Sequence, residues 1–369
     1  MILYMNKGEI PLQKLLHKEK KMGKIIVLGA TGTLGLPVCR FLKENGFDVL
    51  AVGHSSNGRK FFDSLGIEST KIDISSFESF NVLPKSDVDC VINFAGCLPA
   101  MMMTDSSNSL YADTIIKGTI NVLDYMIKVK CNKLLFPQSV YDVHYLFGTS
   151  IPISADAERK TVYEGDHSIY VSCKNAAIDI IQYYENQYGI RSIILRLPGI
   201  FQYHPKPYIL INGKKRIKLE RVWIEKAKCG DPLEIWGDCK RILESVCIED
   251  FLQIIQKAVE SEHASGIYNV GNGGTTLEDR VLAIREVFCG EKKSKVIYYP
   301  EKANCTQYVL DIEKTKKELG YVPQYKWIDY LNKLKWHMEN EPNKEIWGSF
   351  TDYYKLLRNI KSDSDRFDK

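Results

Sequence analysis

The segment KIIVLGATGTLG constrains the fold of this chain more than any other stretch. The apolar run Lys24–Leu28 predicts a buried β-strand, and glycines follow at Gly29, Gly32 and Gly35. Glycines at this spacing allow a tight turn and a close approach of the backbone to a pyrophosphate. The free N–H groups at the start of the following helix attract such an anion. The segment therefore predicts a strand–turn–helix unit that binds a dinucleotide, rather than a simple turn.

Short apolar strands alternate with helical stretches along most of the chain. The pattern predicts strands at 24–28, 48–52, 69–74, 90–94, 133–136 and 191–197, and helices at 33–45, 110–129, 167–187, 250–261 and 276–288. This alternation is typical of a parallel sheet with helices on both faces. We therefore expect an α/β fold, a Rossmann-like doubly wound parallel sheet, with a smaller C-terminal α/β lobe that binds the substrate.

Changes in this rhythm divide the chain into four predicted parts. Residues 1–22 precede the first strand and predict a poorly ordered extension. Residues 23–200 form the expected NAD(P)-binding domain, which also carries the candidate catalytic residues. Prolines, glycines and lysines become frequent beyond it, which indicates a substrate-binding lobe over residues 201–335. Residues 336–369 are interpreted as a polar and peripheral tail.

The composition is ordinary for a globular enzyme and argues against several classes of function. Apolar residues make up 44% of the chain and charged residues 26%, and the formal net charge is only +4. Such dispersed charge argues against nucleic acid or an anionic membrane as a partner. The longest apolar run, residues 91–103, is too short and interrupted to span a bilayer. The cysteines form no CxxC pair, so we expect reduced thiols, a cytoplasmic location and no metal site.

Two further strand ends are candidates for contact with a nucleotide. Asp73 and Ile74 end the third predicted strand, where a carboxylate could accept a hydrogen bond from adenine or could simply be the N-cap of a helix that starts at Ser75 and Ser76. Phe94, Ala95 and Gly96 end the fourth strand, where small residues let the backbone pass close to a ligand or simply leave the sheet. Carboxyl ends of parallel strands share one edge of a sheet, so both strand ends are expected along the glycine-rich edge.

Tyr170 and Lys174 lie four residues apart on a predicted helix and share one of its faces. A phenol has a pKa of about 10, and an adjacent ammonium group favours the phenolate, so the pair could act as a general acid–base. Ser139, at the end of the fifth strand, could hydrogen-bond the same substrate oxygen. Tyr–Lys pairs at this spacing also occur on helices without a catalytic role, and the glycine-rich loop upstream favours catalysis here.

Together these segments resemble the extended short-chain dehydrogenases/reductases of the NAD(P)-dependent epimerase/dehydratase family, whose members mostly act on nucleotide sugars. The resemblance runs from about Lys24 to Leu331. It is carried by GATGTLG (29–35), NFAG (93–96), KGTINVL (117–123), YVSCK (170–174), RLPGIF (196–201), GDPLEIWGD (230–238), YNVG (268–271) and DIEKTKKELGYVP (311–323).

The resemblance implies a role for each candidate residue. Tyr170 would be the catalytic acid or base, Lys174 would tune it and bind the nicotinamide ribose, and Ser139 would complete the catalytic group. In the second lobe, Arg241 is the candidate for binding the phosphates of a nucleoside diphosphate. The implied cofactor contacts are Gly29, Thr31, Gly32, Thr33, Leu34, Gly35, Asp73, Ile74, Phe94, Ala95, Gly96, Lys174 and Leu197.

The second strand ends without the acidic residue that binds a ribose 2′-hydroxyl in NAD-binding proteins. The stretch reads DVLAVGHSSNGRK, with Gly53 where the family pattern has the acid. His54, Ser55 and Ser56 can donate hydrogen bonds to a 2′-phosphate, and Arg59 can pair with its charge. We therefore expect NADP(H) to be favoured, with NAD(H) possible; the alternative is a surface loop whose basic residues face water.

Three departures from the family pattern bear on the reaction. Pro137-Gln138-Ser139 stands where a Ser/Thr pair is usual, and the Thr-Asp-Glu triplet of the dehydratases is absent, which disfavours sugar 4,6-dehydration. Ile115 replaces an asparagine in the long helix. The stretch KRILESVCIED, residues 240–250, differs from the usual family sequence and leaves the sugar contacts of the second lobe open.

Three functions are compatible with the sequence. The favoured one is NADPH-dependent reduction of a keto group on a nucleotide-linked sugar, with a proton from Tyr170. Epimerisation with a tightly held cofactor would use the same Tyr170, Lys174 and Ser139. The third is a non-catalytic NADP-sensing protein, which need not keep all three of these residues. By analogy with the family we also expect a homodimer through the helices at 110–129 and 167–187.

Overall fold

The computed structural model describes residues 23–55, 58–98, 107–165, 167–211, 214–303 and 305–351. The predicted extension, residues 1–22, lies outside the described residues, as does the predicted tail beyond residue 351. The strands are β1 (Lys24–Leu28), β2 (Val49–Gly53), β3 (Glu68–Lys71), β4 (Val88–Asn93), β5 (Lys133–Ser139), β6 (Arg191–Leu197), β7 (Gly199–Phe201), β8 (Tyr208–Ile211), β9 (Lys214–Ile217), β10 (Leu233–Trp236), β11 (Ile242–Leu243), β12 (Ser245–Cys247), β13 (Gly266–Asn269), β14 (Thr275–Thr276) and β15 (Val296–Tyr299). The helices are α1 (Gly35–Glu44), α2 (Arg59–Ser64), α3 (Asn108–Tyr111), α4 (Gly118–Val129), α5 (Ser168–Tyr188), α6 (Leu219–Cys229), α7 (Ile248–Glu260), α8 (Leu277–Phe288), α9 (Glu313–Leu319), α10 (Trp327–Asn340) and α11 (Lys344–Trp347).

Seven parallel strands form the central sheet, in the order β13-β6-β5-β4-β1-β2-β3. The first six strands thus have the arrangement of a doubly wound fold, in which the winding direction changes between β1 and β4. Ligands bind outside the carboxyl ends of the strands at such a switch point. The predicted Rossmann-like α/β fold class is confirmed.

Apolar side chains that alternate along the strands cover both faces of this sheet. In β1, Ile25 and Val27 belong to one buried cluster, while Ile26 and Leu28 belong to another. Helices α1 and α7 pack into the first cluster, and α4 and α5 pack into the second. The sheet is therefore a fixed platform for the loops that leave its carboxyl edge.

The helix predicted at 110–129 is divided into three segments. Between α3 and α4 the chain forms a π-helical segment, Ala112–Lys117. Such segments are rare and frequently lie at functional sites. Ile115, within it, is buried and lies beside Gly96, where an added Cβ would be 3.4 Å from Ile115 Cγ1. An apolar contact therefore occupies the place where the family pattern has asparagine.

The central sheet is not confined to the predicted first domain, residues 23–200. Strand β13 pairs with β6, and α7 packs into the apolar cluster of the same sheet. This pairing covers an edge of β6 that would otherwise expose unpaired backbone groups. The remaining second-lobe elements surround their own core, which contains Trp223, Ile284 and Leu331.

The described part of the predicted tail is not peripheral. Helix α10 runs across the predicted boundary at residue 336 and ends at Asn340. Beyond it, Trp347 and Phe350 are each only 9% exposed. The tail is polar in composition, but it carries these two large apolar side chains. Their burial removes apolar surface from water and so favours the packed position of this segment.

Candidate functional site

The glycine-rich loop follows β1 and lies against the exit of β4. Gly29 has a φ of 78°, and a Cβ there would lie 2.8 Å from the Phe94 carbonyl carbon and 2.9 Å from Ala95 N. A Cβ on Gly35 would lie 2.2 Å from Gly29 O. Both positions therefore require glycine. The loop after β1 and the exit of β4 therefore meet at the switch point. The cofactor contacts predicted on these two segments lie next to each other.

The predicted adenine contacts take part in a turn after β3. Asp73 Oδ1 accepts hydrogen bonds from Ser75 Oγ at 2.7 Å and Ser75 N at 2.9 Å, which hold the pKa of the Asp73 carboxyl below its usual range. These two bonds form a local turn, whereas the short helix that follows, Phe77–Val82, has Ser76 as its N-cap residue. The contact of Asp73 with adenine stays a prediction. Ile74 is buried, and its carbonyl oxygen accepts a hydrogen bond from Asn121.

A shallow cleft opens where β2 and β3 end. Its lining residues are Thr31, Ala51, Gly53, Ser55, Gly58, Arg59, Phe62, Ser69, Thr70 and Lys71. None of these described lining residues carries a carboxylate, whereas Arg59 and Lys71 are exposed cations. Ser69 Oγ is buried and has no hydrogen-bond partner within the described part of the chain. The charge and the unpaired hydroxyl both suit an anion.

Lys71 is a candidate cofactor contact that was not predicted from the sequence, although its place at the end of a strand indicates it. Lys71 is the last residue of β3 and lies opposite Gly53 in the β2–β3 register. Parallel neighbours end at the same edge, so a basic residue at the end of β3 belongs to the same pocket as Gly53. Of the residues predicted around this pocket, Ser55 and Arg59 line it, His54 is exposed beside it, and Ser56 lies outside the described residues.

These features fit a dinucleotide. The glycine-rich loop leads directly into α1, a ten-residue helix, and the start of such a helix suits a pyrophosphate. Gly53 places no side chain at the mouth of the cleft. Thr31, Gly32, Thr33 and Leu34 form the remainder of the loop that would hold the phosphates.

Tyr170 and Lys174 are both buried on α5, at 7% and 4% exposure. Lys174 Nζ donates a hydrogen bond to Pro137 O at 3.0 Å, and lies 4.2 Å from the Phe136 ring centroid. It lies 5.9 Å from the centroid of the Tyr170 ring. The i, i+4 pair therefore faces the carboxyl end of β5, the strand that carries Ser139.

The predicted direction of the Tyr170 pKa differs from what this environment produces. Burial raises the pKa of Tyr170 above its usual value, with a smaller contribution from Tyr111, whose ring centroid lies 6.5 Å away. Burial also lowers the pKa of Lys174 to about 7. Burial thus disfavours the charged form of both groups. Tyr170 is therefore a protonated phenol at neutral pH.

Replacing Lys174 by methionine is expected to stabilise the fold. The pKa of Lys174 in the folded protein, about 7, lies below the usual value for lysine. Between these two pH values the unfolded chain binds more protons than the folded chain does. The stability of the wild-type protein therefore rises with pH in this range. Below pH 7 the penalty for burying the ammonium is fully present. We expect Lys174→Met to raise the free energy of unfolding near neutral pH by roughly 2–4 kcal/mol.

Urea unfolding of Lys174→Met at several pH values would measure this effect. The gain should shrink as the pH approaches 10, where the wild-type lysine is neutral in both states. Lys43→Met, which replaces an exposed lysine of α1, is the control and should leave stability nearly unchanged. A Lys174→Met gain that did not depend on pH would contradict the assigned burial of the ammonium.

Ser139 is fixed at the end of β5 by its neighbours. Its Oγ accepts a hydrogen bond from Tyr141 N at 3.2 Å, which leaves the hydroxyl hydrogen for donation to another group. Gln138, which sequence reasoning treated only as a departure, is 1% exposed. Its side chain accepts from Ser139 N at 2.8 Å and donates to Asn175 Oδ1 of α5 at 2.9 Å. Gln138 therefore ties Ser139 to the helix that carries Tyr170.

A buried ion pair supports the chain that follows Ser139. Arg196 Nε donates to Asp142 Oδ1 at 2.9 Å, and neither side chain is exposed. Arg196 also donates to Asn269 Oδ1 at 3.1 Å, in β13. Leu197, a predicted cofactor contact, is the register partner of Ser139. The pair therefore links β6 and β13 to the segment beside the candidate catalytic residues.

Arg241, the predicted phosphate contact, is 7% exposed in the second lobe. Its Nη1 donates to Cys305 O at 3.1 Å and to Cys305 Sγ at 2.6 Å. Its Nε is buried without a hydrogen-bond partner in the described ranges. The Arg241 side chain thus lies against Cys305, and among the described residues it makes no hydrogen bond to the other predicted site residues.

The described ranges lack two further features. No helix there combines the length and apolar character needed to cross a membrane. The same residues contain no group of three or more His, Cys, Asp or Glu side chains positioned to hold a metal ion.

The chain is similar to known proteins over most of its length. Residues 25–271 match the family model described as the NAD dependent epimerase/dehydratase family. The chain is 25% identical over 337 residues to the UDP-glucuronate 4-epimerase of Thermodesulfobacterium geofontis, covering 86% of this chain and 97% of that protein. It is 24% identical over 358 residues to the dTDP-glucose 4,6-dehydratase of Neisseria gonorrhoeae, covering 87% of this chain and 97% of that protein.

A solved structure shows the same fold. The UDP-glucuronic acid 4-epimerase from Bacillus cereus, in complex with UDP-glucuronic acid and NAD, superposes with a TM-score of 0.65 at 18% identity, over 86% of this chain and 99% of that chain. The family match covers more than half of the chain and includes the glycine-rich loop, Ser139, Tyr170 and Lys174. The chain therefore belongs to the NAD dependent epimerase/dehydratase family, and it is an enzyme of the short-chain dehydrogenase/reductase type.

Proposed function

We propose that this enzyme reduces a keto group of a nucleotide-linked sugar with NADPH. The observation that carries the proposal is the cleft at the ends of β2 and β3, with its two cations and no described lining carboxylate. An acid at this place selects NAD by binding the ribose 2′-hydroxyl and repelling a 2′-phosphate. Gly53 removes that repulsion, and Arg59 and Lys71 add charge of the opposite sign.

The state of Tyr170 supports the direction of reduction. The bound dinucleotide supplies the hydride, and reduction of a carbonyl also needs a proton at its oxygen. Because burial raises the pKa of Tyr170, its hydroxyl carries that proton at neutral pH. Ser139, held by Gln138 and Tyr141, donates a hydrogen bond to the same oxygen in this proposal. Lys174, bonded to Pro137 O, keeps further hydrogens for the nicotinamide ribose.

The substrate class follows from the family and from its named relatives. The relatives named above are a UDP-glucuronate 4-epimerase and a dTDP-glucose 4,6-dehydratase. We propose that the second lobe of this chain binds the nucleoside diphosphate of a related substrate. Arg241 remains the proposed phosphate contact, because its guanidinium is cationic and its buried Nε has an N–H donor without a partner among the described residues.

Epimerisation is the second candidate, and the names of the relatives favour it. It would use the same Tyr170, Lys174 and Ser139, so the catalytic residues do not separate the two reactions. Sugar 4,6-dehydration is disfavoured because the Thr-Asp-Glu triplet is absent. A non-catalytic sensor is disfavoured because all three catalytic candidates are present.

The retained nucleotide and the cofactor balance distinguish these functions. Mass spectrometry of the purified enzyme should identify NADP(H) as the preferred dinucleotide. Incubation with a panel of nucleotide 4-keto sugars should then consume NADPH in proportion to the product formed. A tightly retained NAD⁺, with interconversion of two nucleotide sugars and no net change in cofactor, would contradict the reductase and establish the epimerase.

We also propose that the enzyme is a homodimer that pairs α4 and α5 of each subunit. On α5, Tyr183 and Tyr188 are 54% and 52% exposed. Tyr184 donates a hydrogen bond to Asp124 of α4 at 2.7 Å, which joins the two helices into one surface. Aromatic residues of this kind are enriched at protein interfaces.

A further inference from the structure

The described end of the chain folds back onto the glycine-rich loop. The indole Nε1 of Trp347 donates a hydrogen bond to Thr31 O at 3.1 Å. Arg40 Nη2, on α1, donates to Asn343 Oδ1 at 2.7 Å. We call residues 341–351 the C-terminal strap. Two polar contacts thus hold the strap against the loop and the helix that form the proposed pyrophosphate site.

The strap is also anchored on the second lobe. The Trp347 ring lies 5.2 Å from the His204 ring, measured between centroids. The Arg221 guanidinium lies 5.7 Å from the centroid of the Phe350 ring and donates a hydrogen bond to His204 O at 3.1 Å. Glu341, at a φ of 44°, starts the turn and accepts a hydrogen bond from the Phe350 N–H. The strap therefore connects the two lobes across the candidate site.

The Trp347 bond fixes one peptide unit of the loop. The oxygen of the Thr31–Gly32 peptide is bonded to Trp347, and its N–H donates to Gly29 O at 3.0 Å. With both polar atoms engaged, this peptide cannot turn its partly negative carbonyl oxygen toward a pyrophosphate. The Thr31 side chain also lines the cleft at the ends of β2 and β3. Thr31 therefore connects the proposed pyrophosphate site, through its main chain, with the proposed 2′-phosphate pocket, through its side chain.

We propose that the C-terminal strap retains the dinucleotide, with Trp347 as the positioning residue that holds the glycine-rich loop in its binding conformation. The inference rests on the proposed cofactor site and adds a segment that lies beyond the family-model match, which ends at residue 271. A segment that strengthens binding when attached is itself held more firmly when the ligand is bound, because coupling between two sites is reciprocal.

Trp347→Phe tests this role, because it removes the indole N–H and keeps an aromatic ring. We expect dissociation of NADPH to accelerate about three- to tenfold, the effect of losing one neutral hydrogen bond, and KM for NADPH to rise more than kcat changes. Stopped-flow displacement of bound NADPH, followed by its fluorescence, measures the rate. Trp336→Phe, at a 53% exposed position on α10, is the matched control and should release NADPH at the wild-type rate.

Unchanged release from Trp347→Phe would overturn the proposal. The same displacement is also measured with NADH. If the enzyme prefers NADH, the proposed cofactor selectivity is contradicted, and the release of NADH from Trp347→Phe then tests the strap. Hydrogen exchange on the wild-type enzyme gives a second measurement that needs no variant. Addition of the dinucleotide should slow exchange in residues 341–351 together with residues 29–35. Protection of the loop without protection of the strap would also overturn the proposal.

Discussion

Tyr170→Phe is expected to lower kcat by about 10²- to 10⁴-fold, the range for loss of a general acid–base. The variant keeps the ring, which packs among apolar residues of α5 and the sheet, and removes only the hydroxyl that donates the proton. Cofactor affinity should therefore stay within about twofold of wild type, because this loss falls on the chemical step. Steady-state kinetics and a fluorescence titration with NADPH measure the two effects.

Tyr184→Phe is the matched control for this prediction. Tyr184 lies on the same helix, but its hydroxyl donates to Asp124 of α4. Its loss should leave kcat nearly unchanged, with a stability change of about 1 kcal/mol. Full activity of Tyr170→Phe would show that the proton comes from another group. Equal losses of kcat in both variants would indicate that α5 has been disturbed as a whole.

Gly53→Asp is expected to reverse the cofactor preference. An added Cβ would lie 3.5 Å from Ser55 O and 3.6 Å from Thr31 Cγ2, which are ordinary contacts, so the side chain fits. Its carboxylate would repel a 2′-phosphate and accept a hydrogen bond from a 2′-hydroxyl. We expect NADPH affinity to fall about 100-fold and NADH affinity to rise about tenfold. Titration with both dinucleotides measures the change.

Gly53→Asn separates charge from size. The amide has nearly the volume of the carboxylate and lacks its charge, so it should weaken NADPH binding much less than aspartate does. If both variants lost NADPH affinity equally, the effect would be steric. If Gly53→Asp changed neither affinity, the cleft at the ends of β2 and β3 would not hold the 2′-phosphate.

Local patterns predict the parts of the site that lie within one strand–turn–helix unit. The glycine spacing predicts a tight turn between a strand and a helix, and the structure shows this turn between β1 and α1, with Gly29 at a positive φ. The spacing of Tyr170 and Lys174 places both on one helical face. The alternation of strands and helices predicts the parallel sheet, because the apolar pattern of each strand can be recognised from the residues of that strand alone.

Features that depend on distant parts of the chain were not predictable in this way. The Trp347 bond to Thr31 joins residues 316 positions apart, and no local pattern marks that tryptophan. The pKa values of Tyr170 and Lys174 follow from burial, which the packing of the whole sheet determines. Lys71 is an intermediate case, since it becomes a candidate once β2 and β3 are recognised as parallel neighbours.

The most direct test of the proposed reduction follows an isotope from cofactor to product. NADPH that carries deuterium in the transferable position at the nicotinamide C4 is supplied with a nucleotide 4-keto sugar, and the purified product is examined by mass spectrometry and NMR. We expect one deuterium at the reduced sugar carbon for each NADPH oxidised, and none with Tyr170→Phe over the same period. Interconversion of nucleotide sugars without deuterium uptake and without NADPH oxidation would contradict it.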